Sequence, residues 1–227
     1  MTQYLLVGQS HINAIRKAVS ADEANWFKVV NINKDPIHKT GPDELEIKRR
    51  QFAGIDVLCL SIGGNFHNVL GMLNHPQPFW MVTGPENGQF VPVDMLRRKA
   101  EIAQSETALI ALRICNLMPS AKRVVISPPP PMANTDHAAK YPGIFADKIH
   151  LGFSPEAHRR EIYRIQFELA VRSAIEIGAI YLDSPAKAAD DNGFLREEFC
   201  NPDPTHGNAR YGRLVLDQIL SGIGAMT

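Results

Sequence analysis

Apolar residues along the chain fall into short continuous runs, which alternate with longer segments where they recur every three or four positions. Continuous runs of about four to eight residues indicate buried β-strands, and the longer period indicates helices packed on one face. Strands are predicted at 4–8, 27–32, 56–62, 123–127 and 179–183. Helices are predicted from residue 12, at 43–52, from 94 to 118, at 154–177 and at 208–219. This alternation predicts an α/β fold, a three-layer α/β/α sandwich around a mainly parallel five-stranded sheet.

Two of the predicted helices carry clear local signals. The helix that follows Pro92 has Met95, Ile102 and Leu109 on one side, and a proline after its last turn ends it. The helix that opens at 154–156 has the order serine, proline, glutamate. This order predicts a capping hydroxyl, a proline in the first turn and an acid at the positive end of the helix dipole.

The domain organisation follows from what the pattern lacks. No internal repeat, linker or block of like charge divides the chain, so residues 1–227 are predicted to form one domain. Residues 128–153 begin with four consecutive prolines and show little periodicity. Such a long irregular stretch predicts a loop that covers the functional site. Neither a heptad seam nor an exposed apolar stripe is evident, so no oligomeric state is predicted.

Composition excludes several kinds of partner. The 24 basic and 24 acidic side chains balance and are interspersed, so the chain has no electrostatic footprint for nucleic acid. The three cysteines are far apart and odd in number, which favours a reducing compartment over a disulfide framework. No signal peptide or membrane-spanning run precedes the first strand, so a cytoplasmic protein without membrane association is expected. The histidines lack ligand spacing, and neither a metal nor a cofactor is expected.

The first candidate for chemistry is Ser10, which follows an apolar run that ends at Gly8. The pattern predicts strand, tight turn and helix, and the serine then lies at the carboxyl end of the strand, where α/β sheets bind ligands. Gly8 suits such a turn because glycine tolerates positive φ. Ser10 is therefore either a nucleophile near a helix N-terminus or a residue whose hydroxyl caps that helix.

Two later loops carry further candidates. Asp203 precedes His206 by three residues in a proline-rich loop before the last helix. Such a loop can hold the carboxylate against the imidazole and set its tautomer, although an Asx-turn beside an exposed histidine has the same spacing. Asn65 ends the Gly-Gly-Asn segment after the third strand. Its amide either donates to a developing oxyanion or belongs to an ordinary turn.

These three stretches, in this order, resemble the blocks of the SGNH (GDSL-like) hydrolase family. The resemblance covers nearly the whole chain and implies a flavodoxin-like sheet. It implies that Ser10 is the nucleophile, His206 the general base and Asp203 the acid that orients the histidine. It also implies that Asn65 and the backbone N–H of Ser10 line the oxyanion hole, with Gly41 as the third donor.

The chain departs from the family pattern at two positions without losing a group that the mechanism needs. Residues 8–10 are Gly-Gln-Ser where the family name reflects Gly-Asp-Ser, and Asn65 is followed by Phe66 where many members have an acid. The resemblance implies hydrolysis of a small-molecule ester through an acyl-enzyme, with a short acyl or acetyl group on a carbohydrate or other alcohol. Transfer to another alcohol, or a non-catalytic binding domain that uses the same cleft, remain the alternatives.

Overall fold

The computed structural model of the protein describes residues 1–81 and 88–224, and these form seven strands and seven helices. The strands are β1 (Tyr4–Gly8), β2 (Phe27–Asn31), β3 (Val57–Ser61), β4 (Phe79–Trp80), β5 (Gln89–Phe90), β6 (Lys122–Ile126) and β7 (Ile180–Leu182). The helices are α1 (Ile12–Ala18), α2 (Pro42–Gln51), α3 (Phe66–Gly71), α4 (Val93–Leu117), α5 (Thr135–Lys140), α6 (Glu156–Glu176) and α7 (Ala209–Gly224).

Five of the strands form one parallel sheet in the order β2-β1-β3-β6-β7. Tyr4 of β1 lies beside Phe27 of β2 and Val57 of β3, which sets the register at the centre of the sheet. Strand β2 is added on one side of β1, and β3, β6 and β7 are added on the other side. The point between β1 and β3 is therefore a topological switch point, and α/β sheets bind ligands in the crevice at such a point. The predicted α/β fold with a parallel five-stranded sheet is therefore confirmed.

Alternating residues of the central strands send apolar side chains into two separate cores. Leu6 of β1 packs toward α1 and α7, whereas Leu5 and Val7 pack toward α2, α4 and α6. This is the two-residue period of a strand that is covered on both faces. Helices therefore lie on both sides of the sheet, and the carboxyl ends of its parallel strands all lie at the same end of the sheet.

Helices α1 and α7 approach each other backbone to backbone at Gly212. A Cβ atom on Gly212 would lie 2.1 Å from the carbonyl oxygen of Ala14. Real side chains do not come this close, so the contact requires glycine. The first and last helices of the described chain are thereby held together on one face of the sheet.

The glycine at the end of β1 has a different role from the one that the sequence predicts. Gly8 does not have a positive φ. A Cβ atom there would instead lie 2.7 Å from the carbonyl oxygen of Ser61 on β3 and 3.1 Å from Cβ of Ile12. The absence of a side chain at Gly8 therefore allows a close approach between β1, β3 and the start of α1.

One helix prediction is confirmed, with an unexpected outcome for burial, and one needs correction. Met95, Ile102 and Leu109 do share one side of α4, but that side is exposed, and Leu96 and Ala100 face the core instead. Helix α6 begins without a side-chain cap, because Pro155 occupies the capping position.

The segment predicted as a covering loop contains regular structure. Residues 128–153 include α5 and the 3₁₀ turns Gly143–Phe145 and Ile149–Leu151. Asn134 caps α5, and its side-chain oxygen accepts a hydrogen bond from the backbone N–H of His137 at 2.9 Å. Helices this short bury too few residues to produce a clear period in the sequence. Among the described residues, no helix combines the length and apolar character needed to cross a membrane.

Candidate active site

Ser10 lies in the tight turn between β1 and α1. The backbone N–H of Gln9 donates to the carbonyl oxygen of Ser61 at 3.4 Å, and the Ser10 carbonyl accepts from the N–H of Asn13 at 3.1 Å. The position next to α1 belongs to His11, whose side chain does not cap the helix. The Ser10 hydroxyl makes no hydrogen bond with any described residue, so capping does not occupy it.

A pair of asparagines joins the first turn of α1 to the end of β2. The buried Asn31 donates through Nδ2 to Oδ1 of Asn13 at 3.2 Å, and its own Oδ1 accepts from the backbone N–H of Asn33 at 3.0 Å. Buried amides of this kind resist displacement because breaking either bond leaves a polar group unpaired. Sequence reasoning did not single out Asn13 or Asn31, since their contact joins positions that carry no motif.

Asp203 and His206 form the pair that the sequence predicts. Oδ1 of Asp203 lies 2.8 Å from Nδ1 of His206 and accepts the backbone N–H groups of Thr205 and His206, each at 2.9 Å. Oδ2 accepts from Asn201 Nδ2 at 2.6 Å. Burial alone would raise the pKa of Asp203, but the hydrogen bonds from His206, Asn201 and Thr205 outweigh it and hold the pKa well below its usual range.

This arrangement determines which nitrogen of His206 is available. A carboxylate can only accept, so neutral His206 carries its proton on Nδ1 and has a basic Nε2. Nε2 is buried and has no hydrogen-bond partner among the described residues. A histidine held in this tautomer by a carboxylate, with a free Nε2, has the form of a general base.

His11 connects the serine turn to the histidine loop. The ring centroids of His11 and His206 are 4.7 Å apart, with the planes tilted by 47°. Both ring nitrogens of His11 are buried and unpartnered among the described residues. Burial, reinforced by the nearby His206 and His67, lowers the pKa of His11 to about 3, so its ring is neutral at physiological pH. The contact brings the turn that carries Ser10 against the loop that carries His206, although no hydrogen bond joins the Ser10 and His206 side chains.

Asn65 lies between β3 and α3, at the carboxyl end of the strand next to β1. Gly64 before it has φ of +65°, a conformation that favours glycine. Oδ1 of Asn65 accepts from Nδ2 of the buried Asn68 at 2.7 Å. Nδ2 of Asn65 donates to no described residue, so it remains available as a donor.

Gln166 of α6 holds the backbone of this loop, and its side chain is fully buried. Nε2 donates to the carbonyl oxygens of Gly63 at 2.7 Å and Gly64 at 3.2 Å. Oε1 accepts the backbone N–H of His67 at 2.8 Å and lies 2.9 Å from His67 Nδ1. One amide thus fixes both sides of Asn65, and sequence reasoning missed it because about 100 residues separate the partners.

No described hydrogen bond joins Gly41 to the other predicted site residues. It lies directly before α2, with φ of −73° and ψ of 165°, and space is open around its α-carbon. Its N–H makes no hydrogen bond to a described backbone carbonyl, and no described hydrogen bond joins it to Ser10 or Asn65. Its role in the oxyanion hole therefore stays a prediction.

The described residues contain no group of three or more His, Cys, Asp or Glu side chains that could hold a metal ion. The chemistry available to these side chains is proton transfer, nucleophilic attack and hydrogen bonding to a developing charge.

Comparison with known proteins identifies the fold. The sequence matches no protein-family model and no curated protein. Among solved structures, a GDSL-like lipase from Bacteroides thetaiotaomicron VPI-5482 superposes with a TM-score of 0.51 at 12% identity, over 100% of this chain and 89% of the lipase. Phospholipase A1 from Streptomyces albidoflavus NA297 also gives 0.51, at 14% identity, over 97% of this chain and 98% of the other. The chain therefore has the fold of the SGNH (GDSL-like) hydrolases, as its sequence motifs predict.

Proposed function

We propose that the protein is a serine hydrolase that cleaves an ester through an acyl-enzyme. The observation that carries this proposal is the Asp203–His206 pair, in which the carboxylate holds one imidazole nitrogen and the other is unpartnered. A histidine with only a structural role would be expected to pair both ring nitrogens, because a buried unpaired nitrogen costs free energy. The serine turn beside it supplies a hydroxyl that no structural hydrogen bond occupies.

The first half of the reaction forms the acyl-enzyme. His206 Nε2 takes the proton from Ser10 Oγ as that oxygen bonds to the ester carbonyl carbon, and the carbonyl electron pair moves onto oxygen. Asp203, charged at neutral pH, stabilises the imidazolium. When the tetrahedral intermediate collapses, His206 gives its proton to the leaving alcohol.

The oxyanion is stabilised by hydrogen bonds that form as the charge develops. Asn65 Nδ2 and the backbone N–H of Ser10 are the proposed donors, and the N–H of Gly41 is the proposed third. Water then repeats the sequence on the acyl-enzyme, with His206 first taking its proton and then returning a proton to Ser10. The neutral ring of His11 places no second positive charge beside the imidazolium.

We propose a short acyl or acetyl ester of a carbohydrate or another alcohol as the substrate. The candidate residues lie on loops that follow strands β1 and β3 and precede α7, and such loop-built sites suit a small acyl group and a polar alcohol. The lipase and the phospholipase named above share the fold, and the general class of ester substrate rests on that similarity.

The test is hydrolysis of p-nitrophenyl acetate and butyrate by the wild type and by Ser10→Ala. We expect the wild type to hydrolyse at least one ester, and Ser10→Ala to lose nearly all activity while its melting temperature is unchanged. Ser120→Ala, at an exposed position away from the site, is the matched control. A fluorophosphonate probe should add its mass to the wild type only. Equal rates in wild type and Ser10→Ala would refute the proposal.

Two further measurements separate this function from its alternatives. Adding glycerol or a free sugar as acceptor should leave the rate of acyl loss unchanged if water is the natural acceptor. An acyltransferase would instead form the new ester. A purified wild type that binds acetylated sugars without turnover would be a binding domain.

A further inference from the structure

Helix α4 presents a row of large apolar side chains to solvent. Met95, Ile102, Leu109 and Leu112 are exposed by 51%, 74%, 55% and 44%. They do not contribute to the core, because the opposite side of α4 supplies the buried residues Leu96, Ala100, Ile114, Cys115 and Leu117. The helix is thus apolar on two faces, and the described structure covers only one of them.

The exposed row has the period of a helix that pairs with another helix. Met95, Ile102 and Leu109 follow one another at intervals of seven residues. A seven-residue repeat keeps side chains on one seam over successive double turns, which is the repeat of helices that pack side by side. Ile102 lies at the centre of this row.

The charges beside the row divide into two groups. Arg97 pairs with Glu168 at 2.9 Å and Glu101 with Arg172 at 2.8 Å, so these side chains bind α4 to α6. A second group, Arg98, Lys99 and Glu106, is exposed and forms no ion pair with a described residue.

We propose that the exposed face of α4 binds the same face of a second copy of this chain, with the two helices antiparallel. A two-fold axis at Ile102 brings Ile102 against itself and Met95 against Leu109 of the second copy. The same axis sets Lys99 close to Glu106 of the second copy, twice, because both side chains lie on the same flank of the row. A parallel pair would instead set Lys99 beside Arg98 of the second copy, so like-charge repulsion disfavours it and charge favours the antiparallel arrangement.

The small area of the proposed α4–α4 interface determines the affinity that we expect for the dimer. One pair of 25-residue helices buries less than the roughly 1,600 Å² of a standard interface. We therefore expect a reversible dimer with a dissociation constant in the micromolar range. The proposal does not depend on the reaction proposed above, because the contact residues of α4 are not those of the candidate site.

Sedimentation velocity over a concentration series tests the dimer. We expect the wild type to shift from monomer to dimer as its concentration rises through the micromolar range. Ile102→Glu should stay monomeric throughout. Ile144→Glu, at a position 73% exposed on another surface, should behave as wild type. A wild type that remains monomeric, or an Ile102→Glu variant that still dimerises, would overturn the proposal.

Charge reversal and cross-linking test the orientation. Lys99→Glu and Glu106→Lys should each weaken the dimer at least tenfold, and the combined variant should recover most of the affinity. Ile102→Cys should cross-link to its copy with a short bismaleimide, because the two-fold axis brings position 102 of the two copies together. The three native cysteines are buried and should not react. Met95→Cys alone should not cross-link. Efficient cross-linking at both 95 and 102 would show a parallel pair and refute the antiparallel one.

Discussion

At the scale of single residues, the charge of Asp203 determines the tautomer of His206. Asp203→Asn keeps the shape of the side chain, but its amide can present N–H instead of oxygen to Nδ1. His206 then carries its proton on Nε2, where it cannot accept from Ser10. We expect kcat to fall about a thousandfold or more, with little change in the folded structure.

This prediction is checked by steady-state kinetics on p-nitrophenyl butyrate, with circular dichroism to confirm the fold. Asp191→Asn, at an exposed position, serves as control and should keep wild-type kcat. A near-normal rate for Asp203→Asn would mean that Asp203 only shapes its loop.

Gly41 offers a test at a single N–H group. Its φ of −73° and ψ of 165° suit proline, and Thr40 before it has the extended ψ of 123° that proline requires. Gly41→Pro therefore removes the N–H with little strain, whereas Gly41→Ala keeps it in open space. If this group completes the oxyanion hole, we expect about a hundredfold loss of kcat for proline and almost none for alanine.

Gly41→Ala is the control for Gly41→Pro, since both variants replace the glycine and only the proline variant removes the backbone N–H. Equal kcat for the two variants would remove Gly41 from the site. Melting temperatures within a few degrees of wild type would show that the comparison is valid.

How far the sequence predicts the site depends on the distance between partners along the chain. Asp203 and His206 lie three residues apart, so their contact could be predicted from local geometry. The ring contact between His11 and His206 and the bonds of Gln166 join residues that are far apart. Nothing in the local pattern encodes such contacts, because they arise only when the sheet brings distant loops together.

At the scale of elements, α6 controls the loop that carries Asn65. Gln166→Leu fills similar space but leaves two carbonyls and the N–H of His67 unpaired, at about 1–3 kcal/mol for each buried group. We expect a lower melting temperature. Because the loop also moves away from its position, we expect kcat to fall at least tenfold with a small change in KM.

The split between kcat and KM distinguishes positioning from stability alone. Gln51→Leu, at an exposed position on α2, is the control and should change neither quantity. If Gln166→Leu lowers the melting temperature but leaves kcat unchanged well below it, Gln166 has only a structural role.

Strands and helices could be predicted from the sequence where their apolar residues are buried in the core. Where apolar residues face solvent, the pattern does not show which face of the element packs inward. The strands of the sheet are buried on both sides, so their composition marks them clearly. Helix α4 has an apolar row on its outer face, and periodicity alone does not say which of two apolar faces packs inward. The short helix α5 lies within the stretch predicted as a loop, because six residues are too few to show a period.

At the scale of the whole molecule, buried neutral histidines make stability depend on pH. Burial lowers the pKa of His11 to about 3 and that of His67 to about 4, below the ordinary value of 6.5. Between pH 4 and 6.5 the unfolded chain therefore binds more protons than the folded one. The free energy of unfolding should fall on acidification through this range, by up to about 1.4 kcal/mol per pH unit for each histidine.

Urea denaturation at a series of pH values measures this slope. We expect a plateau above about pH 7 and a decline toward pH 4. His67→Gln, which cannot gain a proton, should show a shallower decline than the wild type, even if it is less stable at every pH. Parallel curves for the two proteins would show that His67 is not responsible.

The close contact between α1 and α7 at Gly212 also bears on when the proposed activity could begin during synthesis. Ser10 and His206 lie about 200 residues apart along the chain, on loops next to these two helices. At roughly 5–20 residues per second, a ribosome makes the serine about 10–40 seconds before the histidine. In the proposed mechanism a growing chain therefore has its nucleophile without its base, and ester hydrolysis would begin only when α7 docks on α1.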